Sequence, residues 1–97
     1  MIYEYKDDFV IGSVDASVLE SQEIKAYSEV NSLAITSDTF KEKLVIYSVY
    51  MELALMQLEN EGMQEKYDGY SKEYDRYYNM AKTTRPTNIS TIPLGRG

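Results

Sequence analysis

The sequence predicts an all-α protein, a small helical bundle dominated by a long antiparallel helical hairpin, with an extended C-terminal arm. Apolar residues recur at helical spacing over residues 40–58, tyrosines do so over residues 67–77, and both prolines lie close to the C-terminus. Steps of three and four residues place side chains on one face of a helix. We therefore expect an N-terminal lead-in (1–14), a helical domain (15–82) and the extended arm (83–97).

The first predicted helix covers residues 15–30. Ser17 and Glu20 have the spacing of a capping box, in which each side chain accepts a hydrogen bond from a free backbone N–H. Asn31 and Ser32 are expected to end this helix. The lead-in before it contains one short apolar run, which is too brief to distinguish a strand from a loop.

The second predicted helix covers about residues 40–61. Thr39 and Glu42 have another capping-box spacing, and Gly62 stands where helices commonly end with a left-handed residue. One apolar stripe runs along this helix, formed by Phe40, Leu44, Tyr47, Met51, Leu55 and Leu58. Three more apolar residues, Val45, Val49 and Leu53, lie away from the Tyr47–Met51 side. Either the first helix or a second copy covers them, and the sequence slightly favours self-association.

The third predicted helix follows the Gly62 turn and continues to Lys82, so that the two long helices form an antiparallel hairpin. Its tyrosines repeat at heptad-like steps, and Gly69 within it costs on the order of 1 kcal/mol relative to alanine. The tyrosine seam is either a helix-packing face or a subunit interface. Stacking with nucleobases is disfavoured, because the flanking charges are mixed rather than basic. The candidate packing or interface residues are Tyr47, Met51, Leu55, Tyr67, Tyr70, Tyr74 and Tyr77.

The helical pattern stops before Pro86, because the residue preceding a proline is pushed out of the α region. The remaining residues are predicted to form an arm that docks on a partner, because the arm is too short to bury its own apolar side chains. Pro93 favours an extended shape and lowers the entropy lost on docking. The candidate docking residues are Arg85, Ile89, Ile92, Pro93, Leu94 and Arg96.

Charge is distributed unevenly along the chain, whose net charge is −6. All 16 acidic residues lie in residues 1–75, whereas residues 76–97 contain four basic residues and no acid. An acidic body argues against sequence-independent DNA binding, which needs a broad basic face.

We expect no membrane-spanning segment and no signal peptide.

The composition excludes several kinds of chemistry. The sequence has no Cys and no His, so it cannot form a disulfide, a thiol nucleophile, an ordinary zinc site or a Ser-His-Asp triad. An enzymatic hypothesis, a small hydrolase with a carboxylate pair, would rest on acidic residues such as Glu59, Glu61, Glu65 and Asp68. A solvated helix face explains them better, because no pocket signature accompanies them. We expect no catalytic, cofactor or metal site.

Two helical segments, residues 43–54 (KLVIYSVYMELA) and residues 66–74 (KYDGYSKEY), are joined by an acidic turn and followed by an extended arm. Over residues 37–97 this arrangement resembles the head-to-tail adaptor (connector, or head-completion) proteins of tailed bacteriophages. The resemblance implies a ring, commonly dodecameric, that docks beneath the portal protein, extends the DNA channel and receives the next connector or tail-completion protein.

The resemblance also assigns the portal grip to the C-terminal segment, here Ile89 to Arg96. DNA would pass through the ring without specific binding, and the protein would be made in the host cytoplasm and reside in the virion. The alternative is a non-phage all-α interaction module, monomeric or dimeric, that captures a partner through its arm. The stoichiometry of the assembled protein distinguishes these two hypotheses.

Overall fold

A computed structural model describes residues 1–83, and within this range the chain forms four α-helices and no strand. The helices are α1 (Asp8–Ile11), α2 (Ala16–Asn31), α3 (Asp38–Leu55) and α4 (Met63–Thr83). The predicted all-α fold class is therefore confirmed for residues 1–83. The arm is a prediction that lies outside the described residues, as do its candidate docking residues Arg85, Ile89, Ile92, Pro93, Leu94 and Arg96.

The two predicted capping boxes are wrong. Asp15 precedes α2 without a side-chain capping bond, and Ser17 lies inside the helix. At the start of α3 the cap is Ser37, whose hydroxyl accepts a hydrogen bond from the Phe40 backbone N–H at 3.3 Å. With Ser37 as the cap, α3 begins at Asp38, one residue before Thr39. The predicted end of α2 at Asn31 is confirmed.

The second long helix is shorter than predicted, since α3 ends at Leu55 and not at residue 61. Residues 56–62 form turns, within which the buried Gln57 amide donates to the backbone oxygens of Val10 (2.8 Å) and Leu53 (3.1 Å). Gly62 has a φ of +89°, as expected for a left-handed residue, but it leads into α4. Leu55, the last residue of α3, is exposed, whereas the sequence predicts it among the packing or interface residues.

Helix α3 lies at the centre of the fold and packs against α1, α2 and α4. Val45, Val49 and Leu53 are at most 1% exposed, so they are covered within one chain and the expected self-association through these three residues is wrong. Burial of each such side chain contributes about 1.5–3 kcal/mol. The apolar core consists mainly of Val10, Leu19, Ala26, Val30, Ile35, Leu44, Val45, Val49, Leu53, Ala54, Met63 and Ala81.

Candidate functional site

A ladder of five aromatic rings joins α3 and α4. Phe40 contacts Tyr77 at 6.2 Å between ring centroids, Tyr77 contacts Tyr47 at 5.8 Å, and Tyr47 contacts Tyr70 at 5.7 Å. Tyr50 completes the ladder by stacking on Tyr70 at 4.5 Å. Such ring pairs contribute about 0.5–1.5 kcal/mol each beyond the area they bury. The aromatic ladder thus brings together Tyr47, Tyr70 and Tyr77 of the predicted seam.

The other predicted seam residues lie beside the ladder rather than in it. Tyr74 stacks on Tyr78 with an interplanar angle of 11°, and burial, together with the charge of Glu29, raises the pKa of Tyr74. Tyr67 and Met51 are half-buried, whereas Leu55 is exposed. The tyrosines on α4 keep part of their surface accessible, so packing within one chain does not use the whole seam.

Residues 1–7, here called the N-terminal strap, are tied to α2 by a single buried carboxylate. Glu23 is only 2% exposed, and it accepts hydrogen bonds from the backbone N–H groups of Ile2 (2.8 Å) and Tyr3 (2.9 Å). The Tyr5 hydroxyl donates a third bond to it at 2.9 Å. Burial acts to raise the pKa of Glu23, but these three bonds outweigh it and hold the pKa below its ordinary value.

The far end of the strap is tied to α3 and α4. The Tyr50 hydroxyl accepts hydrogen bonds from the backbone N–H groups of Lys6 (2.7 Å) and Asp7 (3.1 Å). Asp7 in turn accepts from Tyr70 and from Lys66, whose Nζ lies 2.9 Å away. Burial raises the pKa of Asp7, but these two donors lower it further than burial raises it. The strap thus connects α2, α3 and α4 at one edge of the aromatic ladder.

Sequence reasoning missed the strap's contacts, and with them Asp7, Glu23 and Tyr50. Each pairs with residues 18 to 63 positions away along the chain, and a pattern of local spacing carries no information at that range. A partial signal exists for Tyr50, because it lies three residues after Tyr47 and so occupies a neighbouring position on the same helix.

An open groove of about 370 Å³ borders the Tyr47–Tyr70 contact. Its lining, here called the Gly69 groove, consists of Tyr47, Glu65, Lys66, Gly69, Tyr70 and Glu73. A Cβ added at Gly69 would meet no neighbouring atom within 4 Å. Lys66 is paired with Asp7, and Glu73 is paired with Arg76 at 2.6 Å. Within the described residues, Glu65 forms no ion pair, so the groove has an excess of negative charge.

Two further surfaces expose large apolar side chains. The turn-end surface lies around the α3–α4 connection and consists of Phe9, Leu55, Met56 and Leu58, each 41–51% exposed. Phe9 belongs to it because its ring would lie 3.3 Å from a Cβ at Gly62. The α2 surface consists of Met1, Ile2, Ile24 and Tyr27, which line a shallow groove with Glu20. Contiguous exposed apolar residues of this kind commonly mark interaction sites.

No group of three or more acidic side chains in residues 1–83 is arranged to hold a metal ion. The acidic residues Glu59, Glu61, Glu65 and Asp68 are exposed, and Asp68 accepts a hydrogen bond from Gln64 at 3.1 Å. None of the helices in this part of the chain is both long and apolar enough to span a bilayer.

Comparisons with protein-family models, with curated proteins and with solved structures found no match for this chain.

Proposed function

We propose that this chain is a structural, non-enzymatic ring subunit of a phage head–tail interface. It docks on the portal protein, extends the DNA channel and receives the next connector or tail-completion protein. The resemblance of residues 37–97 to head-to-tail adaptors motivates the proposal. The observation that carries it is the presence of two separate apolar surfaces, the turn-end surface and the α2 surface, on one small subunit. Covering both requires at least two contacts, as in a ring.

The long antiparallel hairpin is part of the same proposal. The contacts between aromatic side chains support it. Phe40, early in α3, pairs with Tyr77, late in α4, whereas Tyr50, later in α3, pairs with Tyr70, earlier in α4. Such a hairpin is a stiff element about 30 Å long, judged from the 21 residues of α4. A stiff element of this kind suits the wall of a channel.

Charge supports a role in which DNA passes without being held. Residues 1–75 contain 16 acidic and six basic side chains, so the body repels phosphate groups. The four basic residues at 76–97 are too few for a broad DNA-binding face. The proposal therefore includes no specific nucleic-acid site, no cofactor and no membrane contact, and it places the assembled protein in the virion.

The extended arm is proposed to grip the portal. It combines three aliphatic anchors, Ile89, Ile92 and Leu94, with basic residues at both ends and no acidic residue. Extended segments of this kind dock by adding a strand or by filling a groove, and flanking charges fix the register.

The test is electron microscopy of the purified protein mixed with its portal. The expected result is a ring stacked on the portal, which the double variant Ile92→Asp and Leu94→Asp abolishes. The matched control places the same two charges on the same arm at Thr87→Asp and Asn88→Asp, and it should still dock. If the Ile92 and Leu94 variant docks as well as the control does, the helical body holds the portal and the role of the arm is wrong. A protein that stays monomeric or dimeric and ignores the portal supports the non-phage interaction module instead.

A further inference from the structure

Gly69 lies within α4, where a glycine weakens the helix relative to alanine. Packing inside the chain does not require it, because a Cβ there would meet nothing within 4 Å. Gly69 instead lines the groove together with Tyr47 and Tyr70. A glycine at such a place lets another backbone approach the helix closely. Tyrosine, which contributes two of the lining residues, is enriched in protein interfaces.

The charge along α4 indicates what approaches. Residues 63–75 contain four acidic residues against two lysines, whereas the chain beyond residue 75 contains only basic charges. Asn79 and Lys82 lie 10 and 13 residues after Gly69, which is about 15 and 20 Å along the helix axis. Arg76 pairs with Glu73 of the groove lining within the same copy, but Asn79 and Lys82 lie further along the continuous helix α4 and cannot fold back onto the Gly69 groove. The basic end of another copy can reach it.

We propose that the Gly69 groove receives a second copy of this chain, which inserts the basic end of its α4, residues 79–83. The two contacting surfaces are different, so each copy uses its groove on one neighbour and its basic end on another. Repetition of this contact closes a ring when the rotation is suitable. The inference rests on the proposed ring and adds one lateral contact to it, which leaves the arm, with Arg85, available for the portal.

The absence of cysteine from the chain allows a direct test. Gly69→Cys protein is mixed with Asn79→Cys protein and treated with a short bismaleimide crosslinker, both in free solution and after addition of the portal. The expected result is a mixed crosslinked dimer in several-fold higher yield than from Gly69→Cys mixed with Ser17→Cys, since Ser17 is also exposed but lies on α2. Equal yields for the two mixtures under both conditions would overturn the inference.

Charge reversal provides a second readout on the same crosslink. Adding Glu65→Lys to the Gly69→Cys chain should weaken the contact about tenfold, which corresponds to about 1.4 kcal/mol. Glu29→Lys on α2 makes the same change of charge at an exposed residue that lines neither the Gly69 groove nor the α2 surface, and it should leave the yield unchanged. A Glu65→Lys yield equal to that of Glu29→Lys would contradict the charge complementarity. If rings form on the portal without this crosslink, the lateral contact is wrong while the proposed function stands. If the crosslink forms but the portal is not bound, the lateral contact stands and the proposed function is wrong.

Discussion

Replacing Glu23 with glutamine should loosen the N-terminal strap while preserving the size of the side chain. The carboxylate accepts three hydrogen bonds, two of them at Oε2, from the Tyr3 N–H and the Tyr5 hydroxyl. Glutamine keeps one acceptor oxygen and presents an N–H₂ group in place of the other, which faces the Tyr3 N–H as a second donor. A hydrogen bond to a charged group contributes about 1.5–3 kcal/mol, and one between neutral groups about 0.5–1.5 kcal/mol.

The expected loss follows from these contributions. One charged bond is lost, and the bond from Ile2 becomes a neutral one, while the Tyr5 hydroxyl can rotate to accept instead of donate. We expect Glu23→Gln to lower the free energy of unfolding by about 2–4 kcal/mol, a large share of the roughly 5–15 kcal/mol typical of a domain. Urea unfolding at neutral pH measures this. The matched control is Glu20→Gln on the same helix, which is exposed and should change stability by no more than about 0.5 kcal/mol.

The pH dependence gives an independent check of the same reasoning. The folded protein holds the pKa of Glu23 below its ordinary value of 4.5. The stabilisation it provides is therefore complete above that value and is lost as the pH falls through the lower folded pKa. The difference between wild type and Glu23→Gln should be largest near neutral pH and shrink below about pH 4. A difference below about 1 kcal/mol at neutral pH, or one that grows on acidification, would refute the role assigned to this carboxylate.

Substitutions at three further positions test other parts of the structure. Gly62→Ala should destabilise the fold by about 1–2 kcal/mol in thermal unfolding, because the residue has a φ of +89° and a Cβ would lie 3.3 Å from the Phe9 ring; unchanged stability would contradict this. Tyr50→Leu should remove the acceptor for the Lys6 and Asp7 amides and increase their hydrogen exchange, whereas Tyr50→Phe separates this loss from the loss of the ring; protection that persists in both would contradict the contact. Gly69→Ala should raise the unfolding free energy by up to about 1 kcal/mol, and a loss of stability would show that the groove is filled in the free chain.

The helical character and the aromatic seam could be predicted from the sequence. Apolar residues at steps of three and four specify which face of a helix is buried, because this periodicity is a property of the helix itself. The tyrosine spacing on α4 likewise placed Tyr70 and Tyr77 on one face, and both lie in the aromatic ladder. The positive φ of Gly62 was also predicted from local chemistry, since glycine is the residue best suited to that conformation.

Helix ends and the cover of the apolar surface could not be predicted in the same way. The periodicity of α3 continues past Leu55, but the helix stops there and Gln57 instead bonds to the Val10 carbonyl, 47 positions away along the chain. The sequence slightly favours self-association through Val45, Val49 and Leu53 because they lie away from the Tyr47–Met51 side, yet the chain itself covers them. Which surface meets another depends on how the helices pack, and a one-dimensional pattern does not specify this.

The sequence by itself determined the fold class, the approximate positions of α2, α3 and α4, and the aromatic face between the last two. Only the tertiary structure decided that a strap crosses three helices, held by Glu23, Tyr50 and Asp7. The physical reason is the range of the interactions. Periodicity and capping act between residues within about four positions, so the sequence displays them directly. A buried carboxylate meets its donors only after distant segments have packed together, and until then nothing in its neighbourhood distinguishes Glu23 from a solvated glutamate such as Glu20.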